Sequence, residues 1–106
     1  MTTALGEKIY KLRKKKGLTL EQLADRTDSS KSYIWELENK APPRPSADKL
    51  SKIATELGVT LDYLLDQEHK ISEADAADEM FFRRFQRMDP EVKEKIRKIA
   101  ELWEDE

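Results

Sequence analysis

Within TLEQLADRTDSSKSYIWELENK, residues 19–40, five side chains can exchange hydrogen bonds, pair charges or stack: Lys31, Ser32, Tyr33, Trp35 and Glu36. They supply an ammonium, two hydroxyls, an indole N–H and a carboxylate, a set suited to recognising a polar, charged surface rather than to breaking bonds. Bond-breaking chemistry has little to draw on elsewhere. The chain has no cysteine and one histidine, His69, which falls in a polar stretch and reads as solvated. H-E-x-x-H, G-K-[ST] and G-x-S-x-G are absent, and the carboxylates are scattered as helix-surface charges. No catalytic residue, metal ligand or cofactor is expected.

The elements that must position these side chains are helices, because apolar residues recur at spacings of three and four and no alternation of period two is sustained. A first helix is expected from about Ala4 to Lys16, with Leu5, Ile9 and Leu12 on one stripe and Gly17 as its stop. Its basic end, KLRKKK, reads first as cations complementing the C-terminal helix dipole on a solvated face and second as a site of phosphate attraction. Thr19 and Gln22 form a T-x-x-Q capping box for a second helix that buries Leu23 and Ala24 and fades at Thr27 and Asp28. Asp28 tolerates the left-handed backbone of a sharp turn, and Ser29 or Ser30 caps a third helix reaching Glu38, with Ile34 and Leu37 inward. APPRPS, residues 41–46, cannot continue a helix and is expected as an ordered loop. Ser46 caps a fourth helix carrying Leu50, Ile53, Ala54 and Leu57 up to Gly58. Thr60 caps a short fifth, LDYLL, whose Leu61, Leu64 and Leu65 close the core.

Residues 67–73 are polar and read as a linker. Beyond them, Ala77, Phe81, Phe85 and Met88 form one stripe, broadened by Phe82, and Val92, Ile96, Ile99 and Trp103 form another. Asp89 and Pro90 stand between as N-cap and first-turn proline. Such a pair of helices buries too little to be stable alone and needs the globule, a second copy or another protein to cover it. Leu, Ile, Val and Phe lie just above the roughly 20% below which disorder is expected, so the 106 residues support a small core. The net charge of -2 hides an asymmetry: residues 1–66 carry 12 Lys or Arg against 10 Asp or Glu, and residues 67–106 carry 8 against 12. The start, MTTALGEKIYKLRKKKG, lacks the apolar run of a signal peptide, and nowhere do about 18 apolar residues run together; a cytoplasmic chain without membrane contact is expected.

A capped helix, a turn of about four residues and a second capped helix make a helix-turn-helix, which projects its second helix from the surface. The exposed residues of that helix can then meet base edges in a major groove wide enough to admit it. From GEKIYKLRKKKGLTLEQLA through SSKSYIWELENK to LSKIATELGVTLDYLL the chain resembles the small DNA-binding domains of the lambda repressor and Cro type, the XRE-like regulators, over roughly residues 5–66. The resemblance implies an all-α protein: a five-helix lambda-repressor-like DNA-binding domain at 1–66, then the linker, then a C-terminal pair of amphipathic helices at 74–106.

It implies that Ser30, Lys31, Ser32, Tyr33 and Glu36 occupy base-facing and phosphate-facing places, that Lys40 contacts phosphate, that Arg44 lies near the minor groove or the DNA backbone, and that Arg13 and Glu38 form a structural pair. Trp35 either touches the sugar-phosphate backbone or packs on the loop around Pro42 and Pro43. Glu36 either accepts from a cytosine amino group, restrains Lys31 or Tyr33, or is a tolerated charge. The chain departs from the family pattern at Leu20, where a Gln is usual, at Asp28 and Lys40, where Gly is common, and at Trp35, a place usually polar. The expected function is sequence-specific transcriptional regulation, as a repressor that binds a pseudo-palindromic operator as a homodimer. Phe81, Phe82, Phe85, Ile96, Ile99 and Trp103 are expected to cover the dimer or partner surface. The alternatives are an antitoxin-type autoregulator whose tail binds a toxin or regulatory protease, and an interaction adaptor without DNA contacts.

Overall fold

The computed structural model describes residues 3–40 and 45–104, and among these every regular element is a helix. In order they are α1 Ala4–Lys15, α2 Leu20–Arg26, α3 Lys31–Asn39, α4 Ala47–Leu57, α5 Leu61–Leu65, α6 Glu73–Gln86 and α7 Pro90–Glu104. The expected all-α class, a lambda-repressor-like bundle with two further helices, is what the chain adopts.

Local chemistry sets most of the boundaries. Thr3, Thr19, Ser30, Ser46, Thr60 and Ser72 each accept, through the side-chain hydroxyl, one of the amides that a helix start leaves without a partner. At Thr19 the capping box closes, with Gln22 Oε1 accepting from the Thr19 amide at 2.9 Å. Of the two serines before α3 it is Ser30 that caps, accepting from the Tyr33 amide at 3.0 Å. Three helices end on a left-handed residue: Gly17 (φ 70°), Gly58 (φ 75°) and Asp28 (φ 54°). After each, the next amide reaches back to the last turn: Leu18 to Arg13 O at 3.1 Å, Val59 to Ala54 O at 3.0 Å, Ser29 to Ala24 O at 2.9 Å.

The turn between α2 and α3 is also fastened from outside. Lys49 Nζ, on α4, donates to the carbonyl oxygens of Thr27, at 3.3 Å, and Asp28, while Lys52 Nζ lies 3.4 Å from the Asp28 carboxylate. The Thr27 hydroxyl, fully buried, donates back to Leu23 O at 2.8 Å. The strained residue is thus held by two lysines that the local sequence does not adjoin.

The core collects Ile9 and Leu12 of α1, Leu23 and Ala24 of α2, Ile34 and Leu37 of α3, and the α4 stripe Leu50, Ile53, Ala54 and Leu57. Leu18 and Val59, the residues that follow the two C-terminal glycines, also bury. In α5 the expected closure by Leu65 is not what forms: Leu65 is 51% exposed, and Tyr63 and Leu64 are buried. A single turn and a half of helix can turn only one narrow face inward, and Tyr63 is drawn into it by Lys8. The Lys8 ammonium sits 4.5 Å from the Tyr63 ring centre and donates to Tyr63 O at 2.7 Å and Asp66 O at 2.6 Å, capping the carbonyl end of α5. Burial also pushes the Tyr63 hydroxyl above its usual range.

α6 and α7 form a loose hairpin that meets near its bend, where Lys93 and Arg97 lie over the Phe85 ring, and α6 meets the globule along the face of Ala76 rather than the stripe of Ala77, Phe81 and Phe85. Ala76, not Ala77, is buried against the core, with Met80 one turn on and half-buried. Ile71 packs on the core, and its amide donates to Asp66 Oδ2 at 2.7 Å, a bond that holds the Asp66 carboxyl below the usual range. That register turns Phe85 toward Lys93 and Arg97 of α7 and leaves Phe81 exposed. Because the hairpin extends from one side, the radius of gyration is 15.9 Å, above the roughly 13 Å of a compact chain of this size.

α1 and α3 cross where Gly6 meets the end of α3: a Cβ at Gly6 would stand 2.5 Å from Leu37 O and 2.8 Å from Glu38 O. Backbone cannot yield as a flexible side chain does. Gly6→Ala, although a favourable change in helix propensity, should therefore lower stability by about 1–3 kcal/mol in urea denaturation; an equal or higher midpoint would refute this close approach.

Candidate nucleic-acid interface

α3 is amphipathic in a way that sorts the singled-out residues. Ile34, Leu37 and Glu38 face inward, whereas Lys31, Ser32, Trp35 and Glu36, at i, i+1, i+4 and i+5, share the outer face and line one shallow depression of about 230 Å³. These four are exposed. Of the five side chains singled out in this segment, four thus form one contiguous patch and Tyr33 stands apart from it.

The remaining residues divide between the patch and the scaffold. The Ser30 hydroxyl is engaged as the N-cap acceptor. Tyr33 is half-buried, packs on the core, and its hydroxyl accepts from the Ser46 amide at 3.3 Å, leaving its own proton to donate outward. Lys40 is exposed, with its ammonium 5.6 Å from the Trp35 ring centre. The Trp35 carbonyl accepts from Asn39 Nδ2 at 3.0 Å. Arg44, Pro42 and Pro43 lie outside the described residues. Sequence reasoning missed Glu21, whose carboxylate is 3.5 Å from Lys31 Nζ and sets the direction of that side chain at the edge of the patch. Both groups are exposed, so the pair steers more than it stabilises. Leu20, where the family usually has Gln, packs partly against the core.

Beneath the patch lies an ion pair. Arg13 Nε donates to Glu38 Oε2 at 2.7 Å and Nη2 to Oε1 at 3.0 Å, while Nη1 donates to Leu18 O at 2.9 Å. Arg13 and Glu38 are 8% and 4% exposed, so the fork is fixed in a nearly dry site. The hydrogen bond with Glu38 raises the guanidinium above its already high range, against the opposing effect of burial. The Tyr10 ring, 5.4 Å from the guanidinium carbon, covers its outer side. The pair ties the last turn of α1 and the turn after it to the end of α3, so the helix that carries the patch cannot roll independently.

A second surface lies on the hairpin. Phe81 and Phe85 rings stack at 6.3 Å, and Lys93 and Arg97 of α7 lie 5.7 and 5.4 Å from the Phe85 ring centre. Phe85 and Ile96 are half-buried there, but Phe81 is 48% exposed, Phe82 52%, Ile99 56% and Trp103 70%. No described residue of α7 is buried, and Leu102 adds to the same apolar face.

A capped two-helix unit with a left-handed turn, held on a five-helix core and presenting a polar, aromatic face, defines a helix-turn-helix protein. The helix-turn-helix family model matches residues 9–64, and the chain belongs to that family, in its XRE or lambda-repressor-like form. It is 35% identical over 66 residues to the HTH-type transcriptional regulator SinR of Bacillus subtilis (strain 168), covering 62% of this chain and 60% of that protein. A crystal structure of SinR, a master regulator for biofilm formation, in complex with DNA is similar with 35% identity and TM-score 0.55, covering 58% of this chain and 98% of that one. A SinR protein/SinI protein complex shares the fold at 22% identity and TM-score 0.58 over 96% of this chain and 99% of that chain. This chain thus spans about 60% of the curated relative it matches.

Removing one member of the buried pair leaves the other charged and unpaired. Glu38→Leu or Arg13→Met should each lower stability by about 3–5 kcal/mol, whereas the double change Arg13→Met/Glu38→Leu should cost much less than the sum. Chemical denaturation of the four proteins measures the coupling, and additive losses would show that the two side chains do not act together.

Proposed function

We propose that this protein is a sequence-specific DNA-binding transcriptional regulator that acts as a repressor and binds a pseudo-palindromic operator as a homodimer. The observation that carries this reading is the outer face of α3, where Lys31, Ser32, Trp35 and Glu36 stand together on a helix locked from below by Arg13 and Glu38. The similarity of this region to a regulator solved on DNA supports it. In this reading Lys31, Ser32 and Glu36 meet base edges. Ser30, Tyr33, Trp35 and Lys40 hold the sugar-phosphate backbone, and Arg44 reaches it from the following loop. Residues 1–66 are the DNA-binding unit, 67–73 the linker and 74–106 the extension that completes the dimer. The protein works by binding rather than catalysis, inside the cell, with no cofactor.

The hairpin supplies the two-fold partner contact. One recognition helix discriminates over only a few base pairs, and a genome offers millions of competing sites, so two copies are required. Phe81, Phe82, Ile99 and Trp103 are exposed and apolar, as a surface meant to be covered by its own copy should be. The half-sites then lie about 34 Å apart, one turn of the duplex.

Binding to genomic fragments that include the protein's own promoter should exceed binding to random duplex at about 150 mM salt; equal affinity would end the proposal. Lys31→Ala or Ser32→Ala should narrow the preference for the operator about tenfold, while Lys40→Ala should weaken all duplexes similarly and flatten the salt dependence by about one unit. Deleting 74–106 should lower the mass found by sedimentation to about a third, that of a single shortened chain, and a persisting dimer would exclude the hairpin as the dimer contact.

A further inference from the structure

A cleft of about 480 Å³ lies between α4 and α6, on a part of the surface that the proposed DNA contacts do not use. Its size falls within the roughly 300–1,000 Å³ of small-molecule sites. Ala54, Leu61 and Met80 give it an apolar lining, and Lys16, Arg83, Arg84 and Arg87 place four cations around it against one carboxylate, Glu56. That carboxylate is 4.0 Å from Arg26, outside the cleft, and Arg83 is paired with Glu79 at 3.2 Å. Lys16, Arg84 and Arg87 have no carboxylate partner among the described residues, which holds as well for the isolated Lys95 and Lys98 of α7; what sets the three apart is that they line one cleft.

We propose that this cleft binds a small phosphorylated molecule with an apolar ring, of the nucleotide class, and that the ligand ties α6 to α1 and α4. Lys16, the C-cap of α1, and Arg84 and Arg87, from the last turn and C-cap of α6, line one cleft, and a multiply charged anion relieves the repulsion among them. Arginine forks match phosphate oxygens in pairs, and the lining of Ala54, Leu61 and Met80 accepts a ring that a bare anion would leave empty. A duplex backbone fits less well. Ser46 at the start of α4 adjoins Tyr33 of α3, and the cleft occupies the second half of α4, centred near Ala54, roughly 12 Å further on at 1.5 Å per residue. The ligand spans the proposed DNA-binding unit and the hairpin, so its binding sets how the hairpin is held.

The full chain would be titrated calorimetrically with adenosine triphosphate and, separately, with pyrophosphate at about 150 mM salt, with thermal unfolding followed in parallel. Saturable binding and a raised Tm are expected with the nucleotide, and weaker binding with pyrophosphate. Arg84→Glu/Arg87→Glu should weaken nucleotide binding about 100-fold, some tenfold for each lost charge-assisted contact. Lys95→Glu/Lys98→Glu, an equal charge change on exposed α7 positions, should leave it unaltered. Circular dichroism checks the fold of each variant, and Arg84→Gln/Arg87→Gln, about tenfold or more weaker, replaces the reversal if that variant is not helical. The proposal is overturned if neither probe gives heat or a Tm shift at millimolar concentration, if both charge reversals weaken binding equally, or if only an acidic peptide such as polyglutamate binds. Operator binding measured on the same variants reports separately on the DNA-binding reading.

Discussion

The crossing of α1 over the end of α3 is the constraint on which the remaining geometry rests. Gly6 lets the two backbones approach to a distance that no Cβ permits, and Arg13 then bridges the same two helices through Glu38. The two contacts are complementary. Close approach removes water from the ion pair, which makes the pair directional, and the pair in turn fixes the rotation of α3 about its own axis. An outer face with Lys31, Ser32, Trp35 and Glu36 follows from that rotation, because the inward positions are already taken by Ile34, Leu37 and Glu38.

The turn before α3 shows how the fold accommodates a residue that is locally unfavourable. Left-handed backbone at Asp28 carries strain that glycine avoids, and the strain is offset by bonds from a distant helix. Lys49 takes the carbonyls of Thr27 and Asp28, and Lys52 faces the Asp28 carboxylate. The α4 helix therefore does two things: its apolar stripe closes the core, and its polar edge fastens the turn that launches α3. Lys8 has a similar role at the other end of the bundle, where it holds the carbonyl end of α5 and so the point from which the chain departs for the hairpin.

The hairpin is the part with the least internal support. Its contact with the globule passes through Ile71, Ala76 and Met80, and the exposed Lys15–Glu73 pair at 2.5 Å adds little. Much of its apolar surface still faces solvent. A segment attached through few contacts and rich in exposed aromatics is suited to taking a partner and to being repositioned by what occupies the cleft at its base. The two proposed roles of the extension, dimer contact and ligand wall, use adjoining parts of α6: Phe82 stands away from Arg87, while Phe81 and Arg84, at i and i+3, border one another.

Much of this was legible in the residues themselves. Helix starts were readable because a Ser or Thr hydroxyl acts on an amide three residues away, and helix ends because glycine takes the left-handed region, both local effects. The apolar periods of α1 to α4 named their core residues for the same reason, and the order of the segments identified the family. Tertiary structure decided what depended on distant neighbours. Leu65 and Ala77 have the right type and spacing to be buried, yet Tyr63 and Ala76 are buried instead, since Lys8 and the seat of α6 on the core choose between adjacent faces of one helix. The strap from Lys49, the clearance at Gly6 and the gathering of Lys16 with Arg84 and Arg87 are equally silent in the sequence. Each joins positions far apart along the chain, and a local pattern records what a residue can do, while only packing determines what it meets.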